Sequence, residues 1–323
     1  MPLVRFVMPL LLAVFVAIGL MPMRATRAAD SYALACNPPG SLSYTLAAAL
    51  ASAAGDNPTL RPQPYGGSNQ ILPLIGSGEV AFGMATAMEV DMATKGEGDF
   101  AGRPVENLTA VANLFPFRVG FLVRSDSPIR TLADLKGKRI PNFSGHGATE
   151  ATVRALLANA GLTPSDVDYV PVGNFMQQFD ATNADHVDAW MASAGLPALV
   201  DLAQHVGGLR YLAIDVSPAA IEAMQKVLPL VYPVEVKPLP NIIGLDGPTK
   251  LMAYDYLLLA NASVSDEVVA SVARILHTQG DRLIANAPAF KAMRPEHLAK
   301  PTPIAYHHGA EHYYHVNGLS LAP

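Results

Sequence analysis

An α/β fold in two lobes, with the chain crossing from one lobe to the other and back, is predicted by three features of the sequence. Short apolar runs alternate with longer stretches of helical period, the pattern of strands joined by crossover helices. Residues 110–124, "AVANLFPFRVGFLVR", are apolar over a length that suits a long strand passing between lobes, with Pro116 as an interruption. The Pro-rich segment 229–248 reads as the return crossing. A cleft between the lobes follows from this wiring.

The elements are justified in chain order. Arg5 supplies a positive n-region and residues 10–20 an apolar run too short to span a bilayer, so residues 1–28 read as a signal peptide cleaved after Ala28. The tetrapeptide Ala33-Leu34-Ala35-Cys36 does not fit a lipid-anchoring motif, because Leu34 stands one place too late. Residues 31–36 form a first strand, the turn Asn37-Pro38-Pro39-Gly40 follows, and Ser41 caps a helix over 42–54. A helix near 69–75 precedes a strand over 79–85. Beyond the first crossing come a helical turn at 132–135, a strand at 139–142 and a helix over 148–160 stopped by Gly161. Strands at 167–172, 186–191 and 209–214 alternate with helices at 175–184 and 196–206. Residues 250–260 are a strand of the first lobe, followed by a long helix over 266–285.

Composition narrows the function classes. Half of the sequence is hydrophobic and 15% is charged, as in a well-packed globule. The 22 basic residues, three of them within 1–28, face 27 acidic ones and form no cluster, which argues against a nucleic-acid partner. After the first 28 residues no stretch approaches about 18 uninterrupted apolar residues, so the mature chain is not expected in a membrane. Cys36 is the only cysteine and cannot make an intrachain disulfide.

Ligands of open α/β sheets sit outside the carboxyl ends of the strands, so the turns after strands are the candidate sites. Three are glycine-rich helix entries. In "NPPGSLSYTL" at 37–46, Gly40 and Ser41 stand where unpaired N–H groups and the helix dipole would hold a carboxylate, with Tyr44 one turn further in. Simple N-capping by Ser41 accounts for the same residues. In "PYGGSNQIL" at 64–72, Gly67, Ser68 and Asn69 repeat the arrangement, and "NFSGHGATEATV" at 142–153 does so with His146, Gly147, Ala148 and Thr149. None of these turns contains Lys or Arg. A second charge on the ligand would need Arg118 in the crossing strand, whose planar fork pairs a carboxylate bidentately. An exposed or ion-paired arginine beside the hinge is the alternative. Trp190, the only tryptophan, precedes a loop containing Ser193 and Gly195, where it either stacks on a ligand or fills the core.

Neither catalysis nor a cofactor is expected. Cys36 lies inside a strand, and the chain has no G-x-S-x-G, H-E-x-x-H or Walker A motif. His307, His308, His312 and His315 lack a convergent ligand set, so no metal is expected there.

The sequence resembles the TAXI family of receptors that serve TRAP-type transporters. The resemblance rests on "GGSNQILPLIGSGEVAFGMA" at 66–85, "SPIRTLADLKGKRIPNFSGHGATEATVRALLANAGLT" at 127–163 and "HHGAEHYYHVNG" at 307–318. The family's glycine-rich segment after the first strand is here "CNPPGSLSYTL", with Pro38 and Pro39 in place of glycines. The resemblance implies a type II-like periplasmic-binding-protein fold and a small organic anion, a dicarboxylate or an amino acid such as glutamate or 2-oxoglutarate. It implies TRAP membrane subunits as the partner. An ABC-type receptor, or an enzyme on a similar bilobal scaffold, is the alternative. The expected lobes are 29–117 with 245–323, and 118–244.

Overall fold

The first strand, β1 (Ser31–Cys36), turns Leu34, Ala35 and Cys36 into the interior and pairs in parallel with β2 (Thr59–Pro64) and β3 (Phe82–Thr86). The computed structural model describes residues 31–143, 147–173, 175–240 and 242–319, so the expected signal peptide and His146 lie outside the described residues. Crossovers α1 (Leu42–Ala54) and α2 (Ser68–Ser77) join these strands. No strand was expected at β2. Pro62 and Pro64 remove two ladder donors and mask the pattern, which is tolerated because β2 is an edge strand bonded only to β1. A helix, α3 (Ala87–Lys95), leaves β3 directly and ends at Gly96, whose φ of 67° is left-handed.

Two long antiparallel strands carry the chain between lobes. The first, β4 (Leu108–Arg124), has 17 residues and extends about 55 Å at roughly 3.3 Å per residue, more than one lobe needs. Its partner β10 (Thr249–Asn261) runs beside it from Met252 opposite Val119 to Asn261 opposite Leu108. Pro116 does not interrupt β4. It sits opposite Asp255, between the stretch whose outer edge bonds the C-terminal segment through Ala110 and Asn113 and the stretch bonded by β7 (Trp190–Ser193). The return crossing is β10 itself, not residues 229–248. That segment holds β9 (Tyr232–Val236), which pairs with the first half of β10 because its alternating apolar residues have an open edge to join.

The main sheet has the order β2-β1-β3-β10-β4-β7, with β9 on β10 and β8 (Leu209–Tyr211) on β4. A small parallel sheet of β5 (Arg139–Asn142) and β6 (Asp168–Pro171) lies in the second lobe. The helices there are α4 (Gly147–Asn159), α5 (Ala181–Ala184), α6 (Ala198–Val206) and α7 (Pro218–Val227). The expected helix over 175–184 is instead a short 3-10 turn and α5, separated by the extended backbone of Asp180. The expected helix over 266–285 is two, α8 (Asp266–Thr278) and α9 (Gly280–Asn286), parted where Gln279 leaves helical angles ahead of a glycine. The last helix is α10 (His308–Val316).

Side-chain alternation along β10 sorts the core. Tyr256, Leu258 and Ala260 join the cluster beneath α1, α8 and α10, and Met252 and Tyr254 join the one beneath α4 and α7. On the opposite face Leu257 and Leu259 pack under α2 and α3, and Leu251 packs with Trp190 and α6. Each lobe therefore has a core on both faces of the sheet, and the crossing strands enter all four.

Candidate functional site

Helix starts from both lobes converge on the middle of the crossing strands. There Phe115 stacks on Tyr256 at 6.0 Å, Phe117 on Tyr256 at 5.5 Å and Phe117 on Tyr254 at 5.6 Å between ring centroids. The ladder forms because 115 and 117, and 254 and 256, are two apart in paired strands and share a face. Ser43 of α1 lies beside the Tyr256 hydroxyl and Thr152 of α4 beside that of Tyr254, so each hydroxyl meets a helix of a different lobe. Burial, and after it the nearby Glu89 carboxylate, keeps both phenols protonated far above their usual range.

Glu89 occupies the third position of α3. Its Oε2 accepts from the Thr86 N–H at 2.9 Å and the Thr86 hydroxyl at 2.7 Å, the reciprocal capping box, and its Oε1 accepts from Ser68 at 2.5 Å. One carboxylate thus joins the starts of α2 and α3. Across from it, the Gly147 N–H at the start of α4 donates to Asp99 Oδ1 at 2.9 Å, a bond from the second lobe to the 3-10 turn Gly98–Phe100 of the first. A side chain at Gly147 would crowd Asp99.

The expected site residues divide. Gly40, with a φ of 90°, is exposed in a turn that requires glycine and delivers Ser41. Ser41 caps α1, accepting from the Tyr44 N–H at 3.2 Å, while the Tyr44 ring packs on the first core. Gly67 precedes α2 in extended conformation, and Ser68 reaches Glu89. Asn69 points elsewhere: it is exposed and lines a surface hollow of about 270 Å³ with Pro73, Phe100 and Arg103. Adjacent helical positions are turned about 100° apart, so Ser68 and Asn69 meet different surroundings. Ala148 and Thr149 are half-buried beside Gly147 at the start of α4. Trp190 is fully buried against Leu122, Leu199 and Leu202 and fills the core in this structure. Arg118 leaves β4 on the face opposite Phe117, beside Tyr211. A second hollow, of about 570 Å³ and lined by Arg124, Lys138, Arg139 and Asp188, lies at the far end of β4, away from the helix starts.

Sequence reasoning passed over Ser43, Glu89, Phe117, Thr152, Tyr254 and Tyr256. A signal existed for Glu89, the T-x-x-E capping box at 86–89, and for the aromatics, whose paired i, i+2 spacing marks two strands sharing a face. The C-terminal histidines have local roles. His307 caps α10 by accepting from the Gly309 N–H at 3.2 Å, His308 bonds Asp266 at 2.6 Å, and a side chain at Gly309 would run into the backbone of Asp266. Among the described residues no group of three His, Cys, Asp or Glu side chains could hold a metal ion, and no helix is long and apolar enough to cross a membrane.

Two α/β lobes joined by paired crossing strands, with helix starts facing each other over the crossing, are the architecture of two-lobe binding proteins. The chain belongs to the NMT1-like family, whose model matches residues 34–318. It shares its fold with the periplasmic aliphatic sulphonate binding protein SsuA from Escherichia coli, at a TM-score of 0.50 and 17% identity over 82% of this chain and 76% of that one. It is also similar to a putative periplasmic sulfonate-binding protein of an ABC transporter from Methylobacillus flagellatus KT, at 0.49 and 13% over 91% and 96% of the two chains. An ancestral arginine-binding protein bound to arginine gives 0.47 and 16% over 80% and 97%.

Proposed function

We propose that the chain is an extracytoplasmic solute-binding protein that closes its lobes around a small organic anion and delivers it to a membrane transporter. The observation that carries this reading is the convergence of α1 and α3 from one lobe and α4 from the other on a single aromatic floor. Helix starts supply N–H donors and partial positive charge for an anionic group. Glu89 favours, within that class, a ligand that also bears an ammonium group, as an amino acid does. Hinge closure around the ligand would create the surface that the transporter recognises.

Residues 1–28 serve in this proposal as the export signal, and the lobes are 29–117 with 245–323, and 118–244. An ABC-type transporter is the first reading of that partner. The blocks at 66–85, 127–163 and 307–318 favour a TRAP-type partner as the second reading. A thermal-shift screen of amino acids, dicarboxylates and sulfonates tests the proposal. One class should raise the melting point saturably, by an amount equivalent to about 2.7 kcal/mol at 100 times its Kd, without being consumed. No saturable shift across the screen, or turnover of a bound compound, would refute it.

A further inference from the structure

Arg118 faces the side of β4 that carries Gly120 and Leu122, away from the aromatic ladder. It is half-buried, its Nε is enclosed, and among the described residues it makes neither a hydrogen bond from that atom nor an ion pair. Tyr211, on β8 opposite Leu122, is 4% exposed, and its buried hydroxyl has no partner either. Burial weighs against the charged form of each group, and each also feels the other's charge. Gly120 stands between them, and a Cβ there would lie 3.2 Å from the Tyr211 ring and 3.1 Å from Leu251. Trp190 Nε1, in the same cluster as Tyr211, is a third buried donor without an acceptor.

An acid on the same face does not relieve this. Asp255 on β10 lies two residues from Ala253, the partner of Arg118, yet its oxygens are held by Lys300 Nζ at 2.9 and 3.1 Å and by the Tyr232 hydroxyl at 2.5 Å. Lys300 also sits 4.7 Å above the Tyr232 ring. A guanidinium partly withdrawn from water without a counter-charge is unfavourable, and an oxyanion with oxygens able to accept two of its N–H groups reduces that penalty.

We infer that Arg118, with the Tyr211 hydroxyl beside it, forms an oxyanion subsite at the hinge, on the face of β4 turned away from the aromatic floor, that takes a carboxylate or sulfonate group. The subsite is separate from the aromatic floor that the reading above assigns to the solute. It is tested by calorimetric titration of the purified chain and of Arg118→Met, Arg118→Lys and Tyr211→Phe with glutamate, succinate, 2-oxoglutarate, ethanesulfonate, and the neutral and cationic controls acetamide and ethanolamine, neither of which carries an oxyanion. At least one oxyanion compound should bind the parent chain, with affinity at least tenfold lower in Arg118→Met and several-fold lower in Arg118→Lys and Tyr211→Phe. Without ligand, Arg118→Met should melt no lower than the parent, which a merely structural arginine would not allow. If Arg118→Met fails to fold, the subsite assignment is wrong on that count, and the Lys variant still reports on binding. Compounds that bind all variants equally overturn the subsite and leave the solute-binding reading standing. Binding of none of the compounds overturns both.

Discussion

Across the crossing strands the chain presents Phe115, Phe117, Tyr254 and Tyr256 on one face and Arg118, Ala253 and Asp255 on the other. On the first face a polar helix residue stands beside each tyrosine hydroxyl, and the rings stack on one another. On the second face the two charges fare differently. Asp255 is clamped by Lys300 and Tyr232, whereas Arg118 has no acid among the described residues. Residues two positions apart on paired strands thus carry opposite meanings: a satisfied buried charge is part of the architecture, and an unsatisfied one marks a place where something else belongs.

The sharpest way to break the comparison is to remove a ring from the ladder. Tyr256→Ala should lower stability by about 3–5 kcal/mol in urea unfolding, the usual result of truncating a buried aromatic side chain. A loss below about 1 kcal/mol would mean that the rings line an open cleft instead of filling a core.

On the opposite face, Asp255→Ala should cost about 1.5–3 kcal/mol, because Tyr232 loses an ionic acceptor and Lys300 its counter-charge. The double variant with Lys300→Met should recover part of that loss in the same unfolding experiment. A loss in the double variant equal to the sum of the losses in Asp255→Ala and Lys300→Met alone would show that the pair is not coupled.

A smaller effect is expected at alkaline pH. Burial is the main cause that pushes the Cys36 thiol from 9.0 up to about 11. Between those values the unfolded chain has released a proton that the folded chain retains. Stability should therefore be complete below pH 9 and fall as the pH rises through 11, followed as urea midpoints. Cys36→Ala should flatten the slope, and an unchanged slope would assign it to the buried tyrosines, whose phenols burial also pushes up.

The smallest effect is that of Ser68→Ala, which removes one hydrogen bond to Glu89. It should cost about 1 kcal/mol or a little more in urea unfolding. A neutral result would show that Glu89 is held by Thr86 alone.

What the sequence determined by itself was local. The strand at 31–36, the Ser41 cap and the helix over 42–54 were legible because period, cap and turn chemistry act within a few residues. The first crossing was legible from the length of one apolar run. What the tertiary structure alone decided was which side chains meet. Phe117 and Tyr254 stack across 137 positions of sequence because β4 and β10 pair in one register, and a slip by one residue would exchange the ladder for Arg118 and Asp255. The same dependence sends Ser68 to Glu89 while Asn69 faces outward, buries Trp190, and leaves Arg118 without an acid among the described residues. Backbone preference is written residue by residue, but the environment of a side chain is set by the register of strands far apart in the chain.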